Sequence, residues 1–445
     1  MFSKFKIPNL SQFKLSTRLR TIVTNTGWLF ADKIIRIGVG LIIGIWLARH
    51  LGVEEYGLFN YATAFATLLS PFASLGLDSV VIRYIVRDAS NRSEILGTTF
   101  CLKLIAGTLT LLVSLVSIYL FSPNEISTIW LVGILSATGI FQSLDAIDLW
   151  FQSQTQSKYT VLAKSLVFVL TSILKIVLIS IKAPIVAFAW VALLDIGLGS
   201  LGLVIAYKIR GYSVWLWRWS LPLAKSLFAE SWPLLFSSFA ILIYMKIDMV
   251  MLKELADNRS VGIYSAATRI SEAWYFIPMV ISSSVAPSIY AAKESSETLY
   301  YNLVVKFHRF MALLAILISV SMTFCSKPLI LLLFGEEYVA AADILIIHIW
   351  ASLFVFLGVA SSPWLVAQNL AYFSLPRTIM GAIANVGLNL FLIPRYAGVG
   401  AAIATVISYA LANVFANITH QKTRPLFWIQ IRSLNIFSLI NQAKQ

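Results

Sequence analysis

Charge-poor apolar stretches of about 20 residues recur from one end of this 445-residue chain to the other. A helix of that length crosses about 30 Å of hydrocarbon. Backbone groups in lipid must be hydrogen-bonded within the segment itself, so the stretches are expected as helices. An outer-membrane barrel would instead show segments of about ten residues with strict alternation, and that pattern is absent. Composition points the same way. The chain is 59% hydrophobic and 12% charged, with mean hydropathy +0.82, against about 25% charged residues in an average soluble domain.

The apolar stretches place twelve spans at approximately 25–48, 57–77, 95–121, 127–150, 161–181, 185–207, 228–251, 262–288, 304–325, 343–365, 375–394 and 398–420. A net charge of +14 could suggest nucleic acid. Here the basic residues sit mainly in short connections between spans, which is the signature of membrane orientation, and no nucleic-acid partner is expected. With the N-terminus inside, 22 Lys and Arg fall in cytoplasmic segments and six in external ones, with six more inside spans. That asymmetry is expected to put both termini of a multi-pass inner-membrane protein in the cytoplasm.

The expected layout begins with a basic, amphipathic cytoplasmic arm over 1–24, carrying Lys4, Lys6, Lys14, Arg18 and Arg20. The following span lacks an A-x-A-like site and carries Asp32, Lys33 and Arg36, so the arm is not read as a cleaved signal. Spans 1–6 form an N-lobe over 25–208, and spans 7–12 a C-lobe over 228–420. Between them, 209–227 is basic and holds Trp215, Trp217 and Trp219, a composition suited to the headgroup layer. Residues 421–445 form a cytoplasmic tail.

An internal repeat supports the division. Gly57-Leu58-Phe59-Asn60-Tyr61-Ala62-Thr63-Ala64 matches Gly262-Ile263-Tyr264-Ser265-Ala266-Ala267-Thr268-Arg269 at an offset of 205, and a weaker match pairs 173–187 with 387–401. Six spans per half is an even number, so the halves share one orientation and are expected to be related by an axis along the membrane normal. The substrate path then lies between them.

Several familiar patterns lack their context. Gly197-Leu198-Gly199-Ser200-Leu201-Gly202 fits G-x-G-x-x-G but lies inside an apolar helix, where small residues let helices approach closely. His50, His308, His348 and His420 have no metal-ligand spacing. Cys101 and Cys325 fall in apolar segments and are expected as small core residues. No nucleophile stands beside a base in a recognisable motif, and no Walker-type loop is present. The chain is not expected to be an enzyme or to use a metal or cofactor.

The informative residues are the ionisable groups within spans: Asp32, Lys33, Arg36, Lys103, Asp145, Asp148, Lys175, Asp195, Lys246, Asp248, Arg269 and Glu272. Each costs about 2.5–3.5 kcal/mol or more at a bilayer centre, so each should face water or another charge. Asp32 and Arg36, at i,i+4, and Arg269 and Glu272, at i,i+3, share helix faces and can pair locally. Lys246 and Asp248 are two apart and point in different directions. Lys103, Asp145 and Asp148 lie near span ends, where snorkelling is an alternative. By position, Lys33 and Arg36 lie toward the cytoplasmic side and Lys175, Lys246, Asp248, Arg269 and Glu272 toward the external side, with Asp195 near mid-membrane.

The set is concentrated in the first eight spans, which are expected to line the cavity. Lys33, Arg36, Lys175, Lys246 and Arg269 are the candidate substrate-binding cations, since Arg binds phosphate oxygens bidentately and Lys acts as a point charge. Asp32, Asp195, Asp248 and Glu272 are candidates for carrying a proton or coupling ion.

Blocks at the repeat boundaries resemble a known family. They are Ala48-Arg49-His50-Leu51-Gly52 with Tyr56-Gly57-Leu58-Phe59, then Asp248 with Met251-Leu252, and Gly262 to Ala267 followed by Pro287. Asn385-x-x-x-Asn389, Ile393-Pro394-x-Tyr396 and Gly398-x-Gly400-Ala401-Ala402-x-Ala404-Thr405 complete the set. In this order and spacing the chain resembles bacterial oligosaccharide flippases of the Wzx/RfbX polysaccharide-export type, across nearly its whole length. The resemblance implies an all-α membrane fold of two six-helix bundles in a V, like multidrug exporters and the lipid II flippase. It implies alternating-access translocation of undecaprenyl-diphosphate-linked oligosaccharide to the periplasmic face, for O-antigen (lipopolysaccharide), capsule or exopolysaccharide synthesis, with cation or proton antiport. Membrane lipids, a polysaccharide polymerase and a chain-length regulator are the partners to expect. A cation-coupled multidrug exporter and a non-transporting scaffold of a polysaccharide assembly complex are the alternatives.

Overall fold

The computed structural model describes residues 17–434, and they contain helices and no strand. Most of the expected arm, 1–16, and the end of the expected tail, 435–445, lie outside the described residues. Among the described residues ten helices are long and apolar enough to cross a membrane. They are α1 (Asp32–Arg87), α2 (Arg92–Phe121), α3 (Ile126–Ser153), α4 (Ser157–Ser180) and α5 (Ile185–Ile209). After a connection come α6 (Leu221–Leu255), α7 (Asn258–Ser295), α8 (Glu297–Leu333), α9 (Ala341–Ala367) and α10 (Ala371–Ile418). A short α11 (Arg424–Leu434) follows.

Two of the ten are double passes. α1 has 56 residues and α10 has 48, so laid straight they would run about 84 and about 72 Å, more than twice a bilayer's hydrocarbon. Up to Ser74, where α1 turns again at Leu75 and Gly76, and between Ser374 and Asn413 of α10, the helical run is broken at one residue. Gly52 has φ 72 and ψ 175, a conformation essentially confined to glycine. Ala397 has φ 44 and ψ −125 and follows Pro394, whose ring removes a helical hydrogen bond. Dividing α1 and α10 at these residues turns ten helices into the twelve passes expected, with the breaks inside the turns expected between the first and second and the eleventh and twelfth spans. Both breaks lie at one end of the molecule, called here the Gly52 end. The opposite end carries the 210–220 connection and is called the linker end.

The surface is that of a membrane protein. Large apolar side chains face outward, Leu120 at 73% and Phe324 at 82% exposure among them, while serines, threonines and asparagines are buried within an otherwise apolar interior. Cys101 is half-buried, but Cys325 lies on the outer surface beside Phe324. The second cysteine is therefore a lipid-facing residue rather than the core residue expected, because helical rotation next to Phe324 turns it outward. The glycine stretch 197–202 lies inside α5 as expected and packs on Phe141 and Ala163 of α3 and α4.

The sequence repeat is a physical contact. A methyl group at Gly57 would overlap the carbonyl oxygen of Asn258, and one at Gly262 would overlap that of Val53. An offset of 205 converts Val53 to Asn258 and Gly57 to Gly262, so the contact is reciprocal, as a two-fold axis through it requires. Around it the halves are joined at the Gly52 end. Tyr61 Oη donates to Glu254 at 2.9 Å, Lys253 pairs with Glu125 at 2.7 Å, and Tyr338 Oη donates to the Ala48 carbonyl at 2.8 Å. Arg49 donates to the carbonyls of Leu332 and Leu333. At the linker end, Arg83 and Tyr84 reach Glu230 of α6, and Arg218 N donates to Ser93 O at 3.1 Å.

Within the stretch expected as a tail, α11 packs back on the C-terminal half. Gln430 bonds Ser361 and Asn417 there, each at 2.9 Å.

Candidate functional site

A cavity of about 360 Å³ lies between the halves, walled by both passes of α1 and by α6 and α7. Arg36, Asn60, Lys246, Thr268, Arg269 and Glu272 are among its lining. Four of the charged residues singled out in the sequence thus meet at one place, from spans 1, 7 and 8.

On α1, Arg36 stands one turn from Asp32, and its Nε donates to both carboxylate oxygens, at 2.8 and 3.0 Å. This is the i,i+4 pair the spacing allowed. Ser165 of α4 donates to the same carboxylate at 2.6 Å, and the guanidinium lies 4.6 Å from the Phe168 ring centroid. The side chain is thereby fixed through Nε while Nη2 is buried with no hydrogen-bond partner among the described residues. A phosphate oxygen is the kind of acceptor that this donor lacks.

Arg269 does not pair with Glu272, although the i,i+3 spacing permits it. Its Nη1 donates to Tyr56 Oη at 2.9 Å and its Nη2 to the Gly40 carbonyl at 3.0 Å, both on α1. A methyl group at Gly44 would occupy the space of this guanidinium. The bare backbone at 44 is what admits an arginine from the other half. Glu272 instead pairs with Lys246 of α6 at 3.1 Å. Arg269 therefore carries its charge against neutral acceptors, with no carboxylate in ion-pair range among the described residues. Position along the spans puts Arg36 and Arg269 toward opposite faces. They share one cavity because Arg269 reaches Gly40, a single turn from Arg36.

Lys175 of α4 is half-buried and within electrostatic reach of Asp195 and Arg269. Asp195 accepts from Thr171 at 2.9 Å. Lys33 is exposed on α1 one turn before Ile37, beside Ile34 and Ile35, and is not among the residues that line the cavity.

Asp248 belongs to a separate cage within the C-terminal half. It is 3% exposed and accepts from Asn389 Nδ2 and Thr405 Oγ1 at 2.6 Å each and from Tyr264 Oη at 2.8 Å. Asn385 lies beside Asn389, its Oδ1 3.1 Å from the Asn389 amide. The cage is one carboxylate among neutral oxygen- and nitrogen-bearing groups, with no ion-pair partner among the described residues. Such a set suits a proton or a monovalent cation, which would neutralise the buried charge. No cluster of three or more His, Cys, Asp or Glu occurs among the described residues.

Three residues set down as possible snorkellers do otherwise. Lys103 is buried and pairs with Asp78 at 2.6 Å. Asp145 and Asp148 share Lys164 at 2.9 and 3.0 Å. Their partners come from neighbouring helices, a pairing that linear spacing does not carry. Sequence reasoning also passed over Tyr56, Gly44, Asn385, Asn389 and Thr405 as site residues. The two asparagines four apart in an apolar span were the available signal.

The family model for the polysaccharide biosynthesis protein family matches residues 22–293, and the MatE model matches 233–392. The chain is 25% identical over 411 residues to "Probable flippase AglR" of Haloferax volcanii, covering 87% of this chain and 81% of that protein. It is 21% identical to "Capsular polysaccharide biosynthesis protein CapF" of Staphylococcus aureus, covering 88% and 97%. The fold superposes on the lipid II flippase MurJ in its inward closed conformation with a TM-score of 0.71 at 16% identity, over 95% of this chain and 93% of that one.

Proposed function

Because the chain belongs to the polysaccharide biosynthesis protein family, we propose that it is a flippase that moves a lipid-linked oligosaccharide from the cytoplasmic to the external leaflet. The cargo of this reading is an undecaprenyl-diphosphate-linked repeat unit destined for surface polysaccharide. The relatives named as a flippase and as a capsular polysaccharide biosynthesis protein support this choice. The linker end faces the cytoplasm, in line with the bias of Lys and Arg toward that end.

The observation that carries the reading is the pair of arginines from opposite halves in one cavity. Among the described residues Arg36 Nη2 is a donor without a partner, and Arg269 is balanced by neutral acceptors. Their planar guanidinium forks match diphosphate oxygens. Anion binding at Arg269 competes with Tyr56 and the Gly40 carbonyl, so cargo loosens a bond that ties the halves together. Opening to the other side then requires separation of the contacts at the Gly52 end. The Asp248 cage supplies the coupling step: binding of a proton or monovalent cation there biases one arrangement of α6, α7 and α10. A cavity that gathers Arg36, Lys246 and Arg269 fits an anion better than a cationic drug.

The test is to neutralise Arg36 and Arg269 singly to Gln, confirm membrane insertion, and measure surface glycan in a flippase-deficient host. Glycan should fall sharply in both. Wild-type glycan from both variants would refute the anion site. Loss of transport by purified protein in vesicles would separate a flippase from a scaffold, whose variants would leave vesicles without any transport to lose.

A further inference from the structure

We infer that the C-terminal half holds a second anion seat, in which Arg377 binds the phosphate of an amphiphile whose apolar chain lies along a tyrosine- and methionine-lined cavity. The inference goes beyond the transport reading, because it concerns binding alone and holds whatever the central cavity carries.

The cavity has a volume of about 370 Å³ and lies among α6, α7, α9 and α10, with Tyr244, Met279, Val355, Arg377, Tyr409 and Asn413 on its walls. It adjoins the central cavity: Met245 and Tyr275 line this one, and Lys246 and Ala273 line the other. Tyr244 and Tyr409 stack with ring centroids 4.3 Å apart, and Asn413 Nδ2 donates to Tyr244 Oη at 3.0 Å. The wall is therefore a rigid, largely apolar surface with a few polar atoms near one end.

Arg377 is the unexplained part. Arg36, Lys103, Lys164, Lys246 and Lys253 each have a carboxylate within 3.1 Å. Arg377 has none within ion-pair range among the described residues. Its Nη1 donates to Asn417 Oδ1 at 2.9 Å, while Nε is buried with no partner among the described residues. Nε and Nη2 form the side-on edge that binds phosphate bidentately. An uncompensated cation in an apolar segment is costly and is a binding site by default. Arg377 lies six residues into α10, about 9 Å from its start. At that depth a lipid phosphate can meet the guanidinium while its chain remains in an apolar setting. Simple snorkelling would aim the whole guanidinium outward, whereas here Nε is buried.

A phosphate on an apolar chain has two sources, a polyprenyl phosphate and a membrane phospholipid. The experiment titrates the purified full chain in neutral detergent with undecaprenyl phosphate, phosphatidylglycerol and undecaprenol, read by native mass spectrometry. At least one phosphate-bearing lipid should bind about tenfold more tightly than undecaprenol. Arg377→Gln should remove that advantage, as expected for loss of charge-assisted bonds, and Arg377→Lys should restore part of it. Ser362 lines the cavity and is exposed, so Ser362→Phe should block the seat without touching the arginine, even if Arg377→Gln misfolds. The lipid whose binding falls identifies the source. A diazirine-bearing polyprenyl phosphate should label peptides from α9 and the start of α10. Wild-type binding of both phosphate lipids in Arg377→Gln and Ser362→Phe overturns the inference, as does label confined to α1. Failure of the transport reading shows separately, as unchanged glycan in the Arg36 and Arg269 variants.

Discussion

The reciprocal glycine contact invites a symmetric perturbation. In Gly57→Ala the new methyl group meets the Asn258 carbonyl, and in Gly262→Ala it meets the Val53 carbonyl. Both obstacles are backbone, so no rotamer change relieves them and the halves must move apart. Overpacking by one methyl group costs about 1–3 kcal/mol, and only the arrangement joined at the Gly52 end bears that cost. The ratio of joined to separated forms should therefore fall about 5- to 150-fold in each variant. The double variant should fall by less than the product of the two, because one displacement relieves both overlaps. Spin labels at Lys182 and Glu336, both exposed and in different halves, would report the distance after Cys101 and Cys325 are replaced. The expected result is growth of a longer-distance population at both single sites and similar distances in the double variant. Wild-type distance distributions in all three would refute the two-fold contact as the joint between the halves.

Other perturbations follow from single contacts. Gly44→Ala should expel the Arg269 guanidinium from α1 and break its bonds to Tyr56 and Gly40, so glycan output should fall although every charge is retained. An unchanged output would show that this latch does not matter. Asp248→Asn should leave the chain inserted but weaken dependence of vesicle transport on a proton or cation gradient, and unaltered gradient dependence would exclude the cage from coupling. Burial raises the pKa of the Glu125 carboxyl, but hydrogen bonds from Lys253 and Thr128 and the Lys253 charge more than offset it, so the group sits below its usual value. Its contribution to the joined form is complete above the ordinary carboxylate pKa and is lost as pH falls through the lowered one. Label distances should hold from neutral pH to roughly pH 4 and lengthen below it, with Glu125→Gln showing no such step.

Much of the fold could be read from residue order. Apolar length fixed the passes, and the breaks at Gly52 and Ala397 fall in the gaps between expected spans. The offset of 205 gave the two-fold relation, since repeated segments of one sequence bury equivalent faces. The site was legible only as a set of charges. Asp32–Arg36 followed from helical spacing, but Glu272 chose Lys246 over Arg269, and Lys103, Asp145 and Asp148 found partners on neighbouring helices. Arg377 escaped notice because it sits near a span end, where a basic residue reads as a topology signal.

The sequence alone determined that the chain spans a membrane, how often, and that its halves are copies. Those properties depend on transfer free energy summed along the chain and on helical periodicity, both of which are local. Only the tertiary structure decided which charges neutralise one another and which remain for a ligand. A guanidinium from α7 rests on α1 because Gly44 leaves room for it, and room is a property of two helices brought together, not of either one.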